Sequence, residues 1–391
     1  MLKIAAALAR PLLLVAGAVL LLGACRAPAA SPAQSPAPAD ASAPATPASS
    51  ESTSGSAPAV SAPAAAPAPP SGALDVVRMS DARVLAAGPI YVALDKGYFR
   101  EQGIDLQLES SAGVADVVAF LATGDLDMAS GAATVGLFNA FDRGADFRII
   151  APMGIMTLED SPLPLLVRKD LYDSGELRTP ADLRGRRVAM NTRGASPEYL
   201  LTKVLDGAGL TIDDVDPVNI PFPDMPAALS NGSIDAAIAA EPAATRAVSL
   251  GVGVKLVKEI VPGRMTTVIL ASGRMLHERP DTVRRFMIAY MKGTRDIQPP
   301  ALGTWDAAKF YTPENIAIFE KYTGANEQVL RDQVPYTWDV DLVIQTDSIM
   351  DQQLTHMRNG TLTLAQPVPP ERMIDDRFVR EARDALGRER P

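Results

Sequence analysis

From Leu74 to Val257 the chain runs through one pattern twice: short apolar strands alternate with helical stretches, and glycine or proline separates them. The first unit places strands at Leu74–Met79, Ile104–Leu108, Leu126–Ala129 and Phe147–Ala151, with helices at Ile90–Gln102, Val114–Ala122 and Val135–Phe141 between them. The second places strands at Arg187–Met190, Val218–Pro221, Ile234–Ile238 and Lys255–Val257, with helices at Pro197–Asp206, Met225–Leu229 and Ala243–Leu250. Such an order predicts an α/β fold of parallel sheets with helices on both faces, in two comparable lobes. Both units carry a related phrase, FLATGDLD at Phe120–Asp127 and ALSNGSID at Ala228–Asp235. In each, the glycine should end a helix in the left-handed region and the aspartate should open a buried strand. The same phrase is also ordinary α/β punctuation.

An extended stretch, Leu163–Arg168, lies between the units, and another, Thr266–Ser272, follows the second and leads into a helix at Pro280–Lys292. Entry and exit through two extended segments suit a double crossover. The expected division is residues 73–178 with 266–391 for lobe 1, and 179–265 for lobe 2. The stretch Trp305–Pro391 reads as largely helical and should fold back on lobe 1. Charge and rare residues narrow the function. With 37 basic against 46 acidic side chains the chain is net negative, which disfavours a nucleic-acid surface. One cysteine and two histidines, His277 and His356, are too few for a disulfide framework or a closed Cys/His zinc site.

The first 72 residues differ from the rest. Lys3 and Arg10 precede an apolar run from Pro11 to Leu22, then Gly23, Ala24 and Cys25, the order of an export signal over residues 1–24. The run is shorter than the ~20 residues a membrane span needs. Leu22-Gly23-Ala24-Cys25 resembles the bacterial lipobox, which implies a diacylated Cys25 and a lipoprotein held to the membrane through its acyl chains. Residues 25–72 are almost entirely alanine, proline and serine, a composition that cannot bury enough surface to fold and should serve as a semi-stiff tether.

Three further stretches carry a resemblance: PIYVALDKGYFREQGID at Pro89–Asp105, DLRGRRV at Asp182–Val188 leading to RGAS at Arg193–Ser196, and NGSIDAA at Asn231–Ala237 followed by Glu241-Pro242. In this order they resemble the nitrate/sulfonate/taurine family of ABC-transporter substrate-binding proteins, a pattern that thiamine-precursor binders share. The resemblance implies the type II periplasmic-binding fold, in which two lobes joined by a two-strand hinge close on a small solute. It also implies a monomer that delivers the solute to the transmembrane permease of an ABC importer, with no cofactor.

In open α/β sheets ligands sit beyond the carboxyl ends of the strands, where helix starts converge. That rule selects the loops holding Asp81 and Gly88, Ser110, Ser111 and Gly113, Ser130 and Gly131, Thr192, Arg193 and Ser196, and Glu241. Arg193 offers several donors to a sulfonate, nitrate or carboxylate, or else is a solvated charge. The serines are ligand donors or ordinary helix caps. Glu241 meets a ligand amine or complements a helix start. Tyr91 and Tyr199 stack on a flat ligand or, since each lies inside a helical stretch, belong to the core. A pyrimidine-synthesising enzyme of similar fold is disfavoured, because the sole cysteine lies in the lipobox-like stretch and neither histidine has a nucleophile pattern nearby. A receptor serving a sensor would use the same body.

Overall fold

Period-two burial sets the first sheet. In β1 (Asp75–Asp81) the side chains of Val77 and Met79 are fully buried, in one cluster with Phe286 and Tyr290 of the helix Pro280–Ile297. The computed structural model describes residues 72–110 and 114–389. The expected export segment, Cys25, the expected tether up to Ser71, Ser111 and Gly113 lie outside the described residues.

β1 is joined by β2 (Ile104–Ser110), β3 (Met128–Ala132) and β4 (Phe147–Pro152). The chain then leaves for a second sheet made of β5 (Leu165–Arg168), β6 (Arg187–Met190), β7 (Asp216–Asn219), β8 (Ala236–Ile238) and β9 (Gly253–Val257), and returns as β10 (Thr267–Ser272). The strand orders are β2-β1-β3-β10-β4 and β7-β6-β8-β5-β9. Each sheet therefore has the same plan, with the first strand after a crossover inserted antiparallel to its neighbours. Two lobes are confirmed, but the sheets are mixed. Periodicity reports burial and says nothing about strand direction.

The pairing of β5 with β8 and β9 also corrects the expected lobe boundary. The first crossover lies between β4 and β5, not at residue 178, and β5 with the short helix Lys169–Ser174 belongs to lobe 2. The helix expected over Ile90–Gln102 breaks as well, into Gly88–Asp95 and Tyr98–Glu101, because Gly97 adopts φ +79°.

The two related phrases do the same work in each lobe. Gly124 and Gly232 adopt φ +77° and +72°, and the aspartate that follows reaches back to its neighbouring strand. Asp127 accepts the Arg78 N–H at 2.9 Å and the Arg274 guanidinium at 2.5 Å. Asp235 accepts the Arg187 N–H at 3.0 Å and the guanidinium groups of Arg168 and Arg187 at 3.2 Å each. In both lobes a buried carboxylate thus ties the central strands to an arginine at the end of the antiparallel insert, or just beyond it.

The crossovers form a ribbon. Met153 N–H donates to Thr267 O at 2.9 Å, Thr266 N–H to Gly154 O at 3.1 Å, and Met156 N–H to Arg264 O at 2.9 Å. A third segment joins these two, since Ile155 and Thr337 exchange both backbone bonds, at 2.9 and 3.0 Å. The helix Thr346–Arg358 lies behind the ribbon, with Ser348 Oγ and Gln352 Nε2 both donating to Met265 O, at 2.8 and 3.0 Å. The tail does pack on lobe 1, where Ile349 joins a core cluster with Leu137 and Phe138. It also reaches lobe 2, because Asp351 accepts from Tyr199 Oη at 2.7 Å and from Lys203 Nζ at 2.6 Å. The expectation that the tail folds back on lobe 1 is therefore extended to both lobes.

Truncating either repeated aspartate leaves buried donors without an acceptor. Asp127→Ala and Asp235→Ala are each expected to lower stability by about 2–4 kcal/mol, read from urea denaturation at pH 7. Losses near zero would show that the arginines find other partners.

Candidate functional site

The loop after β6 is where the two lobes come closest to the expected chemistry. Gly194, at φ +72°, turns its carbonyl to accept the Val135 N–H of lobe 1 at 2.8 Å, and a Cβ at Gly194 would lie 3.0 Å from the Val135 side chain. Beside this contact lies a cavity of about 420 Å³. Lobe 1 contributes Thr134, Val135, Gly136 and Arg143, which lie along the helix Val135–Asp142, and lobe 2 contributes Thr192, Arg193 and Gly194. Thr134 caps that helix, accepting the Leu137 N–H at 3.2 Å. Among the described residues lining the cavity there are two guanidinium groups and no carboxylate. Such a lining can hold an anion through charge-assisted hydrogen bonds from both lobes.

Arg193 is held from beneath. Its Nε donates to Glu198 Oε2 at 3.2 Å, and the Gly194 N–H donates to the same oxygen at 3.1 Å. Glu198 is fully buried. Its other oxygen accepts Thr361 Oγ1 at 2.9 Å and Asn359 Nδ2 at 3.3 Å, and His356 Nδ1 lies 3.6 Å away. Burial by itself would raise the pKa of this carboxyl. The nearby His356 ring and hydrogen bonds from Thr361, Gly194 and Asn359 outweigh burial and hold it at about 2.

The other expected residues divide between cleft and scaffold. Thr192 is exposed and lines the same cavity as Arg193. Gly131, in β3, faces open space where a Cβ would be, and Ser130 Oγ beside it donates to Ser80 O at 3.3 Å. Ser196 is buried and ties its helix to the hinge through Thr266 O at 3.2 Å, so it is neither a cap nor a cavity residue. Gly88 is buried beneath Phe319 and Trp338, where a Cβ would lie 3.3 Å from the first ring, a packing position. Glu241 accepts the Thr245 N–H at 2.9 Å and pairs with Lys255 at 3.3 Å, as the helix-start reading has it. It borders a separate groove of about 350 Å³ that includes Phe222, Pro242 and Val329.

Asp81 ends β1 in register with Ser110. Its Oδ2 accepts Tyr91 Oη at 2.7 Å and the Arg83 N–H at 3.1 Å, and burial raises its pKa against the lowering effect of the Tyr91 bond. The cavity beside it, about 310 Å³, is lined by lobe 1 residues including Arg83, Glu109 and Tyr322, and is distinct from the arginine cavity. Tyr91 and Tyr199 are core residues, both fully buried. Sequence reasoning missed Arg143, Thr134 and Glu198. Thr134 before an apolar helix carried a cap signal, whereas Arg143 at a helix end and Glu198 in a first turn look like ordinary dipole complements. Among the described residues no His/Cys/Asp/Glu cluster could hold a metal.

A carboxyl held at about 2 in the fold, against an ordinary 4.5, stabilises the protein above pH 4.5, and that stabilisation disappears as the pH falls toward 2. The shift corresponds to about 3 kcal/mol. Glu198→Gln should therefore be less stable than the parent at pH 7 and show a flatter loss of stability between pH 4.5 and 2, followed by denaturant unfolding across that range.

Comparison with known proteins follows this geometry. The family model described as NMT1/THI5 like matches residues 86–300. No curated protein matches the sequence. Among solved structures, the periplasmic aliphatic sulphonate binding protein SsuA from Escherichia coli is similar at 18% identity, with 77% of this chain and 92% of that one covered and a TM-score of 0.60. The periplasmic nitrate-binding protein NrtA from Synechocystis PCC 6803 is similar at 14% identity, covering 80% and 89%, with a TM-score of 0.65. The desulfurization enzyme DSZB shares the architecture too, at 17% identity over 80% and 99%, with a TM-score of 0.57. These likenesses establish the fold, that of the periplasmic binding proteins. With more than half of its length matched by the family model, the chain belongs to the NMT1/THI5-like family.

Proposed function

We propose that this protein is an extracytoplasmic solute-binding protein of an ABC importer that captures a small anionic solute between its lobes and delivers it to a membrane permease. One observation carries the reading: Arg143 of lobe 1 and Arg193 of lobe 2 line a single cavity whose described lining has no carboxylate. An anion bridging the two guanidinium groups would favour the closed arrangement, since it gains charge-assisted bonds from both lobes only when they are together. The sulphonate- and nitrate-binding proteins of like fold support an oxyanion such as a sulfonate, nitrate or carboxylate.

Binding without chemistry accords with the residues at hand. His277 is exposed and sits 3.2 Å from Asp146, His356 is buried against Glu198, and neither lines the arginine cavity. Lipid anchoring through Cys25, a monomeric state and a place on the outer face of a bacterial membrane complete the proposal. The anchor and the location rest on the lipobox-like stretch and the tether composition, and the monomeric state on the family resemblance.

A thermal-shift screen against sulfonates, nitrate and carboxylates tests the anion reading, because a ligand that binds only the folded state raises the melting temperature. Arg193→Ala and Arg143→Ala are each expected to weaken the bound anion about tenfold or more, in line with about 1.5–3 kcal/mol for a charged hydrogen bond. Unchanged affinity in both variants would overturn the assignment. For the anchor, Cys25→Ser should move the protein from the membrane to the soluble fraction of the expressing cell. Retention at the membrane would refute it.

A further inference from the structure

We infer that Glu198 is the positioning residue of the anion cavity: it aims Arg193 and ties that arginine's setting to the C-terminal turn at Asn359–Thr361. The inference rests on the anion reading of the cavity and adds a residue that lies outside the cavity lining. Arginine side chains are long, and an unsupported guanidinium loses much of its affinity to the entropy of being ordered. Here that ordering is supplied before any ligand arrives.

The geometry divides the work between the two oxygens of one carboxylate. Oε2 receives both the Arg193 Nε and the Gly194 N–H, at 3.2 and 3.1 Å, so the side chain and the backbone of the loop are fixed by one atom. Only Nε of the guanidinium is used in this way. The terminal nitrogens make no bond among the described residues and remain for the cavity that Arg193 lines. Oε1 receives Thr361 Oγ1 and Asn359 Nδ2, at 2.9 and 3.3 Å, from the turn that follows the helix Thr346–Arg358. Asn359 Nδ2 also donates to Thr202 Oγ1 at 2.8 Å, so the turn is locked to the same helix that carries Glu198. Moving the C-terminal turn would therefore move the carboxylate, and with it the arginine.

Glu198→Gln keeps the shape and removes the charge, and two readouts on the full chain separate positioning from simple stabilisation. Without ligand, the Arg193 Nε–Hε proton, assigned by its loss in Arg193→Lys, should exchange with water about tenfold faster in Glu198→Gln than in the parent. Equal exchange would overturn the inference. With inorganic sulfate, nitrate and methanesulfonate as probes, Glu198→Gln should weaken binding about fivefold or more in the parent and less than about twofold when Arg193 is already alanine. Equal losses in both backgrounds would mean that Glu198 acts on the fold and not through Arg193, and would also overturn it. Failure of every probe to bind the parent would defeat the anion reading, while the exchange measurement would still decide whether Glu198 holds Arg193. Should Glu198→Gln not fold, Thr361→Val removes the shortest bond to Oε1, leaves the charge in place, and is judged by the same two measurements.

Discussion

A carboxylate taken wholly out of water survives only where donors replace the solvent, and Glu198 is fully buried. Its donors come from the loop after β6 and from a turn more than 150 residues later, so one ion fixes the relation between a cleft loop of lobe 2 and the tail. The same requirement, met locally, organises each sheet. Asp127 and Asp235 sit at the head of β3 and β8, and each is answered by a strand N–H and by a guanidinium group at the end of the antiparallel insert or just beyond it. Buried acids thus act as joints at three points, and the apolar clusters fill the space between them.

The paired phrases around Gly124 and Gly232 made this joint partly legible in the sequence. Glycine at a forced left-handed position and aspartate four residues or fewer from a buried strand are local requirements, and local requirements leave local traces. The arginines that answer the aspartates are not local. Arg274 is 147 positions from Asp127, and nothing in its own surroundings announces the pairing. Strand direction is hidden for a similar reason. β5 reads as an extended apolar segment whichever sheet it joins, and only its bonds to β8 and β9 place it in lobe 2. Gly97 split a helix that periodicity carried through, because the apolar spacing continues across the break.

At the proposed anion cavity, the rule that loops after parallel strands face the cleft selected Thr192 and Arg193, which line it, and passed over the lobe 1 residues beside them. Arg143 follows a helix and not a strand, so a rule built on strand ends passes over it. The rule also selected residues whose side chains turn inward. Ser196 spends its hydroxyl on a hinge carbonyl, Glu241 its carboxylate on a helix start and Lys255, and Gly88 has no side chain because two aromatic rings take its place. Position near a cleft and direction into it are separate properties, and the second is set by packing partners from distant parts of the chain.

The long reach of the Glu198 contacts bears on the order in which the protein is made. Translation delivers residue 198 some 161 to 163 positions ahead of Asn359 and Thr361. Through that interval both lobe sheets but not their shared fastening can be assembled, since among the described residues every strand precedes residue 273. Arg193 and its loop consequently receive their final support only from the last tenth or so of the polypeptide, and a chain released early would carry a formed β6 beside an arginine whose carboxylate partner lacks its distant donors.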